Sequence, residues 1–105
     1  MKSAACLLVR AVVRDEADIA KFDTWYESEH LPDAKKAFGA VRAWRCWSLL
    51  DPHVHHAYYE FASEADAMAI RDTPAIKALI QEFDDTWGNR VERTREILQV
   101  AGRLE

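Results

Sequence analysis

Between Cys6 and Arg14 the side chains alternate, with Leu7, Val9, Ala11 and Val13 on one side and Leu8, Arg10, Val12 and Arg14 on the other. A period of two with this β-branched content predicts a strand, and a wholly apolar face predicts that another layer covers it. The next segment supplies that layer. Asp15 offers a side-chain oxygen to open a helix, with Asp18 three residues on in the manner of a capping box. At about 100° per residue, Ile19, Phe22, Tyr26 and His30 then form one narrow stripe, with Trp25 and Glu29 on its flank. Pro32 lacks an N–H and its ring clashes with the turn before it. The helix is therefore predicted to break or bend at His30–Leu31–Pro32, with a looser segment over Asp33–Phe38 leading to Gly39.

The same periods recur downstream. Arg42–Leu50 reads as a second strand, with Trp44, Cys46 and Ser48 facing away from Ala43, Arg45, Trp47 and Leu49. Asp51–Pro52 is a turn signal, and His55–Ala62 is a third strand carrying Tyr58, Tyr59 and Phe61. Ser63–Glu64–Ala65–Asp66 opens a second helix, and Thr73–Pro74 interrupts it. The stripe Ile76, Leu79, Ile80, Phe83 and Trp87 then faces a sheet until Gly88–Asn89. Val91–Val100 is a last strand with charges interleaved, and Ala101–Glu105 a partly ordered extension. The order β-α-β-β-α-β predicts an α+β fold, an antiparallel sheet in order 4-1-3-2 with two helices on one face. The 105 residues make one domain, 1–105. The opposite face stays bare. Where it carries Leu8, Val12 and strand aromatics it needs a cover, so a homodimer about a two-fold axis is expected; a monomer with an unusually apolar surface is the alternative.

The four Trp, four Phe and three Tyr exceed what a lone domain of this size needs, so the surplus lines a cavity or meets a partner. A formal charge of −4, with basic residues scattered among acids, argues against a nucleic-acid partner. No apolar run approaches the roughly 18 residues of a membrane span, and the start has no adequate leader core, so a cytoplasmic protein is expected. Cys6 and Cys46 lie in strand-like stretches and read as small buried hydrophobes, with a disulfide left open. Gly39, Gly88 and Gly102 are too scattered for a phosphate loop, no Ser or Cys sits in a nucleophile motif, and no cofactor is expected.

His30 is the first candidate for chemistry. It shares a stripe with Ile19, Phe22 and Tyr26, so it points toward the sheet. It is either a core-edge histidine with a backbone or carboxylate partner, or a general acid–base whose pKa is tuned by aromatic walls. Glu29 or Asp33 would orient it. Phe22, Trp25 and Tyr26 line the same pocket or pack as ordinary aromatics, and Tyr58 or Tyr59 on the third strand meets them. Arg10 and Arg45 would orient an anion if they faced a cavity. His53, His55 and His56 could grip a metal, but no third ligand is fixed by spacing, and no metal site is expected.

The run from Phe22 through Trp25, Tyr26, Glu29 and His30 to Pro32, followed by Val41 to Arg45, resembles the dimeric α+β barrel superfamily. The EthD-like group is the nearest, with its aromatic pair and then His-x-Pro near the end of the first helix. The element order matches along the whole chain; the motif match spans about residues 22–45. The resemblance implies ferredoxin-like protomers whose sheets form a barrel, and a cleft between each sheet and its helices. It implies His30 as the family histidine, Trp25 and Tyr26 as cleft residues, and a small apolar or aromatic ligand. The implied activity is a cofactor-independent monooxygenase, cyclase or isomerase on a small aromatic or carbonyl compound. A non-catalytic ligand-binding or stress-related homodimer is the alternative.

Overall fold

A computed structural model describes residues 5–104; residues 1–4, read above for a leader, and residue 105 of the tail lie outside the described residues. Strands β1 (Ala5–Val13), β2 (Arg42–Trp47), β3 (Val54–Phe61) and β4 (Val91–Gln99) form one antiparallel sheet in the order β2-β3-β1-β4. This is the predicted 4-1-3-2 order read from the other edge, a ferredoxin-like α+β fold. In the register, Val9 stands opposite both Ala57 and Arg95, and Ala57 opposite Arg45. Because side chains alternate, these in-phase residues form one continuous face. On it Leu7, Val9, Ala11 and Val13 of β1 are buried with Ala57, Tyr59 and Phe61 of β3.

Two helical limbs cover that face. The first is α1 (Ile19–Trp25), a wide π turn over Tyr26–His30, and α2 (Leu31–Phe38). The second is α3 (Glu64–Ala69), a tight turn, and α4 (Pro74–Trp87), whose Ile76, Leu79, Phe83 and Trp87 are buried as the stripe predicted. Ser63 and Thr73 cap α3 and α4 by accepting the N–H groups of Asp66 and Ile76.

The break or bend predicted at His30–Leu31–Pro32 takes the form of a widened turn rather than an end to the helix, and Asp33–Phe38 is regular helix rather than a looser segment. Pro32 falls in the first turn of α2, where a missing N–H costs little. The wide turn, closed by the Leu31 N–H on the Tyr26 carbonyl, takes up the ring. It also keeps the stripe in phase. In a regular helix, residues four apart drift by about 40° at each step. One wider turn reverses the drift, so Phe22, Tyr26, His30 and Ala34 are all buried and Phe38 still packs on the core. Gly39 closes α2 in the left-handed conformation, at φ 67°.

Other expectations shift locally. Asp15 caps the first turn, accepting the Ala17 N–H, but Asp18 turns across the fold to Arg90 at 3.3 Å instead of closing a capping box. β2 ends at Trp47, three residues early, because Ser48 Oγ accepts the N–H groups of Leu50 and Asp51 and starts the turn. The free cysteines Cys6 and Cys46 both lie on the bare face; Cys6 is half-buried and Cys46 exposed, so the second is not the buried hydrophobe expected. That face also carries Leu8 and Val12, with Trp44 stacked on Tyr58 at 5.2 Å between centroids. Trp44 is 42 % exposed there. Among the described residues no helix is long and apolar enough to cross a membrane.

Candidate active-site cleft

The wide turn sets the site. Between the sheet and the two limbs lies a cavity of about 30 Å³, walled by Tyr26, His30, Tyr59, Phe83, Arg93 and Arg95 above an apolar floor. That volume holds a water or two. It adjoins an outer hollow of about 290 Å³ with which it shares Leu7, Ile76 and Arg95. Together the two reach the lower end of the roughly 300–1,000 Å³ usual for small-molecule sites.

His30 is 7 % exposed. Its ring stacks on Trp25, with centroids 4.7 Å apart and planes 19° apart, and meets Tyr26 at 4.9 Å and Phe83 at 5.5 Å edge-on. The expected carboxylate orienters do not serve: Glu29 and Asp33 are exposed, and buried Nδ1 has no hydrogen-bond partner. Packing alone holds the imidazole. Burial, and after it the charges of Arg93 and Arg95, pushes its pKa down to about 4, so the ring is neutral and proton-accepting at pH 7.

Beside it the Tyr26 and Tyr59 hydroxyls share a hydrogen bond of 3.0 Å. One proton is used between them, which leaves one for a ligand. Burial raises both phenols, Tyr26 to about 12, so both stay protonated at neutral pH. Arg93 lies over the Phe83 ring, its guanidinium carbon 3.8 Å from the centroid. Its Nη2 reaches Asp84 at 3.2 Å, while buried Nη1 has no partner. Arg95, exposed, follows two residues on along the same face at the mouth.

A second polar cluster lies under the same face toward β2. Arg45 donates from Nε to His55 Nε2 at 3.1 Å, from Nη1 to Glu27 at 2.9 Å and from Nη2 to Asp23, which also accepts from Trp47 Nε1 at 2.7 Å. The Trp47 and Arg45 bonds hold the Asp23 carboxyl below the usual carboxylate range. His55 is fully buried among Phe22, Tyr26 and Trp47, and burial, then Arg45, pushes its pKa down to about 3.

Of the residues singled out in the sequence, His30, Tyr26 and Tyr59 converge on the cavity, with Trp25 behind the imidazole. Phe22 lies deeper, fully buried against Trp47, His55 and Trp87, and is core rather than lining. Tyr58 is not brought to the cleft at all: it is one residue out of phase with Tyr59 and stacks on Trp44 on the bare face. Arg10 shares that face. Arg45 points inward but into the second cluster. His53 is bonded to the Val13 carbonyl at 2.6 Å, His55 is enclosed and His56 turns to the bare face. Among the described residues no three His, Cys, Asp or Glu side chains gather for a metal. Sequence reasoning missed Arg93 and Arg95. The signal was there: both are in phase with Val91 and Ile97 on β4, whose apolar members face the helices.

No family model matches the sequence, and no curated protein does. Solved structures do match. A single-site variant of SnoaB, a cofactor-independent oxygenase from Streptomyces nogalater, superposes with a TM-score of 0.68 at 11 % identity over 98 % of both chains. A candidate antibiotic biosynthesis monooxygenase from Deinococcus radiodurans gives 0.68 at 7 % identity over 95 % of this chain and 96 % of that one. A dimeric ferredoxin-like protein from an uncultured marine organism gives 0.56 at 13 % identity over 98 % and 100 %. At such identities the likeness is one of fold. The structural neighbours of this chain are thus ferredoxin-like proteins of the antibiotic biosynthesis monooxygenase and dimeric α+β barrel kind.

Proposed function

We propose that the chain is a small-molecule enzyme of the EthD-like kind, acting on a small aromatic or carbonyl compound with its own side chains as the proton-transfer groups. The observation that carries this reading is the His30 imidazole: buried, uncharged, unpartnered at Nδ1, and walled into a cavity with two phenolic hydroxyls. His30 takes a proton from a hydroxyl or an acidic C–H of the substrate, leaving an enolate or phenolate and an imidazolium. The hydroxyl proton left over by the Tyr26–Tyr59 pair donates to the anionic oxygen. Negative charge forming beside the ring favours imidazolium, which offsets part of the depression of its pKa in the resting site. The fold shared with a cofactor-independent oxygenase supports chemistry of this class. The bare face with Leu8, Val12, Trp44 and Tyr58 supports pairing with a second copy, as in the dimeric neighbour.

One experiment addresses both parts. Native mass spectrometry of the purified chain is expected to show the two-subunit mass and to report any retained compound. Turnover of that compound, or of a phenolic compound found by screening, should fall by at least about 100-fold in His30→Gln. Unchanged turnover in a folded His30→Gln removes the imidazole from the mechanism. Retention of a compound that is never converted favours the binding-protein alternative.

A further inference from the structure

Arg93 poses a problem that the proton transfer does not solve. Its side chain is only 10 % exposed, yet Nη1 has no hydrogen-bond partner and Asp84, bonded to Nη2, is itself 57 % exposed. Nη2 also reaches the Ile80 carbonyl at 3.5 Å, and the Phe83 ring lies beneath the guanidinium, but neither meets Nη1. A buried guanidinium with an unpaired amino group, whose ion-pair partner is a largely solvated carboxylate, is unfavourable in a resting protein. Arg95 adds a second positive charge to the cavity wall, and no carboxylate lines that cavity among the described residues. The remaining polar groups there, His30 and the tyrosine pair, are uncharged. The outer hollow differs in character. Met68, Ile70, Ile76 and Ile97 make it mainly apolar, with exposed Arg71 and Glu96 alongside, and Arg95 joins the two spaces.

We propose that the cleft is built for an amphiphilic anion: a carboxylate or enolate head between Arg93 and Arg95 beside His30, with an apolar body in the outer hollow. This names the substrate class of the site and rests on its being a small-molecule site. A neutral ligand leaves Nη1 unpaired, and a cation adds to the positive charge already present. An anionic oxygen pairs with Nη1 in a water-poor setting, where a charge-assisted bond is strongest. The volumes agree with the division, since the cavity of about 30 Å³ admits a head group and the hollow of about 290 Å³ a ring or a short acyl chain.

The test uses the intact chain, isothermal titration calorimetry at pH 7 and a matched pair of probes, 3-phenylpropanoate and 3-phenylpropanamide. The wild type is expected to bind the carboxylate at least about tenfold more tightly than the amide. Arg93→Gln should bring that ratio close to one, Arg93→Lys should restore part of it, and Arg95→Gln should lower it by a smaller factor. In each variant the amide affinity should stay near its wild-type value. Arg95 is exposed, so Arg95→Gln carries the test if Arg93→Gln does not fold. An amide bound as well as the carboxylate by the wild type overturns the anion inference and leaves the cleft as a ligand site. A carboxylate preference unmoved in both folded glutamine variants overturns the role given to the arginines. Binding of neither probe removes the inference and the reading of the cleft together.

Discussion

Two buried imidazoles lie under one sheet face, and the chain treats them differently. His55 is at the β2 end, enclosed by Phe22, Tyr26 and Trp47, and Arg45 satisfies its Nε2 while Asp23 and Glu27 share the guanidinium charge. His30 is at the wide turn, equally enclosed by Trp25, Tyr26 and Phe83. Buried Nδ1 is unmatched in both rings, but His30 lines the cavity and the charges that act on it are two cations, Arg93 and Arg95. Tyr26 stands between them, 4.6 Å from one ring and 4.9 Å from the other. The β2 end is a closed, ion-paired cluster, and the other end opens on the cavity. Enclosure by aromatics and an unpaired Nδ1 are common to both rings; what sets them apart is that His55 is tied to Arg45 while His30 lines the cavity.

The contrast can be tested by its largest common effect first. Both rings are kept neutral, with pKa values of about 4 for His30 and about 3 for His55 against an ordinary 6.5. Below 6.5 the unfolded chain takes up protons that the folded chain refuses, so stability is full above 6.5 and is lost as pH falls toward 4. At about 1.4 kcal/mol per pK unit, unfolding free energy should drop by about 4 kcal/mol between pH 8 and 5, half from each ring. Urea titrations across that range measure it, and His30→Leu should remove half the slope. A flat profile would mean that neither ring is held neutral by the fold.

Next in size is the difference between the two ends at neutral pH. Arg45→Ala leaves His55 and Asp23 without their shared donor and should cost about 2–3 kcal/mol, discounted for the half-exposed Asp23. His30→Leu removes an unmatched polar atom and should change stability by less than about 1 kcal/mol in either direction. Equal losses in the two variants would mean that the two ends do not differ in how they hold their imidazoles. The smallest effect concerns the phenol pair. Tyr26→Phe and Tyr59→Phe should each cost about 1 kcal/mol, and the double variant little more than either, because removing both partners leaves nothing unpaired. Simple additivity in that cycle would show that the 3.0 Å contact contributes nothing.

How far the sequence led can be seen in the residues themselves. The alternation of β1, the stripe of α4 and the order of elements were enough for the sheet and its 4-1-3-2 order, because burial of one face per strand leaves few topologies. Tyr58 and Tyr59 were left as alternatives, while His30 and Tyr26 were legible as neighbours from the helix stripe. Two things were not. Pro32 predicts a break or bend without its form, because a local rule says what proline removes, not how a neighbouring turn can absorb it. The arginines of β4 were passed over because a strand dense in charge, with Glu92, Arg93, Arg95 and Glu96, looks solvated on both sides until its phase against Val91 and Ile97 is counted. Of the two alternatives on β3, Tyr58 lies on the other side of the sheet, because the phase of that strand is fixed only by its register with β1 and β2.

The wide turn over Tyr26–His30 amounts to one residue more than a regular helix would hold. Without one of residues 27–29, Phe22, Tyr26, His30, Ala34 and Phe38 would be spaced by four, three, four and four, which keeps them on one face of a regular helix. Pro32, however, would then stand in its interior with no wider turn to take up its ring. The apolar phase of this limb does not need the extra residue; Pro32 does. What the residue also supplies is a local widening of the backbone where the imidazole and the phenol leave it, so a chain without it is expected to kink at Pro32 and to change the spacing of those two rings.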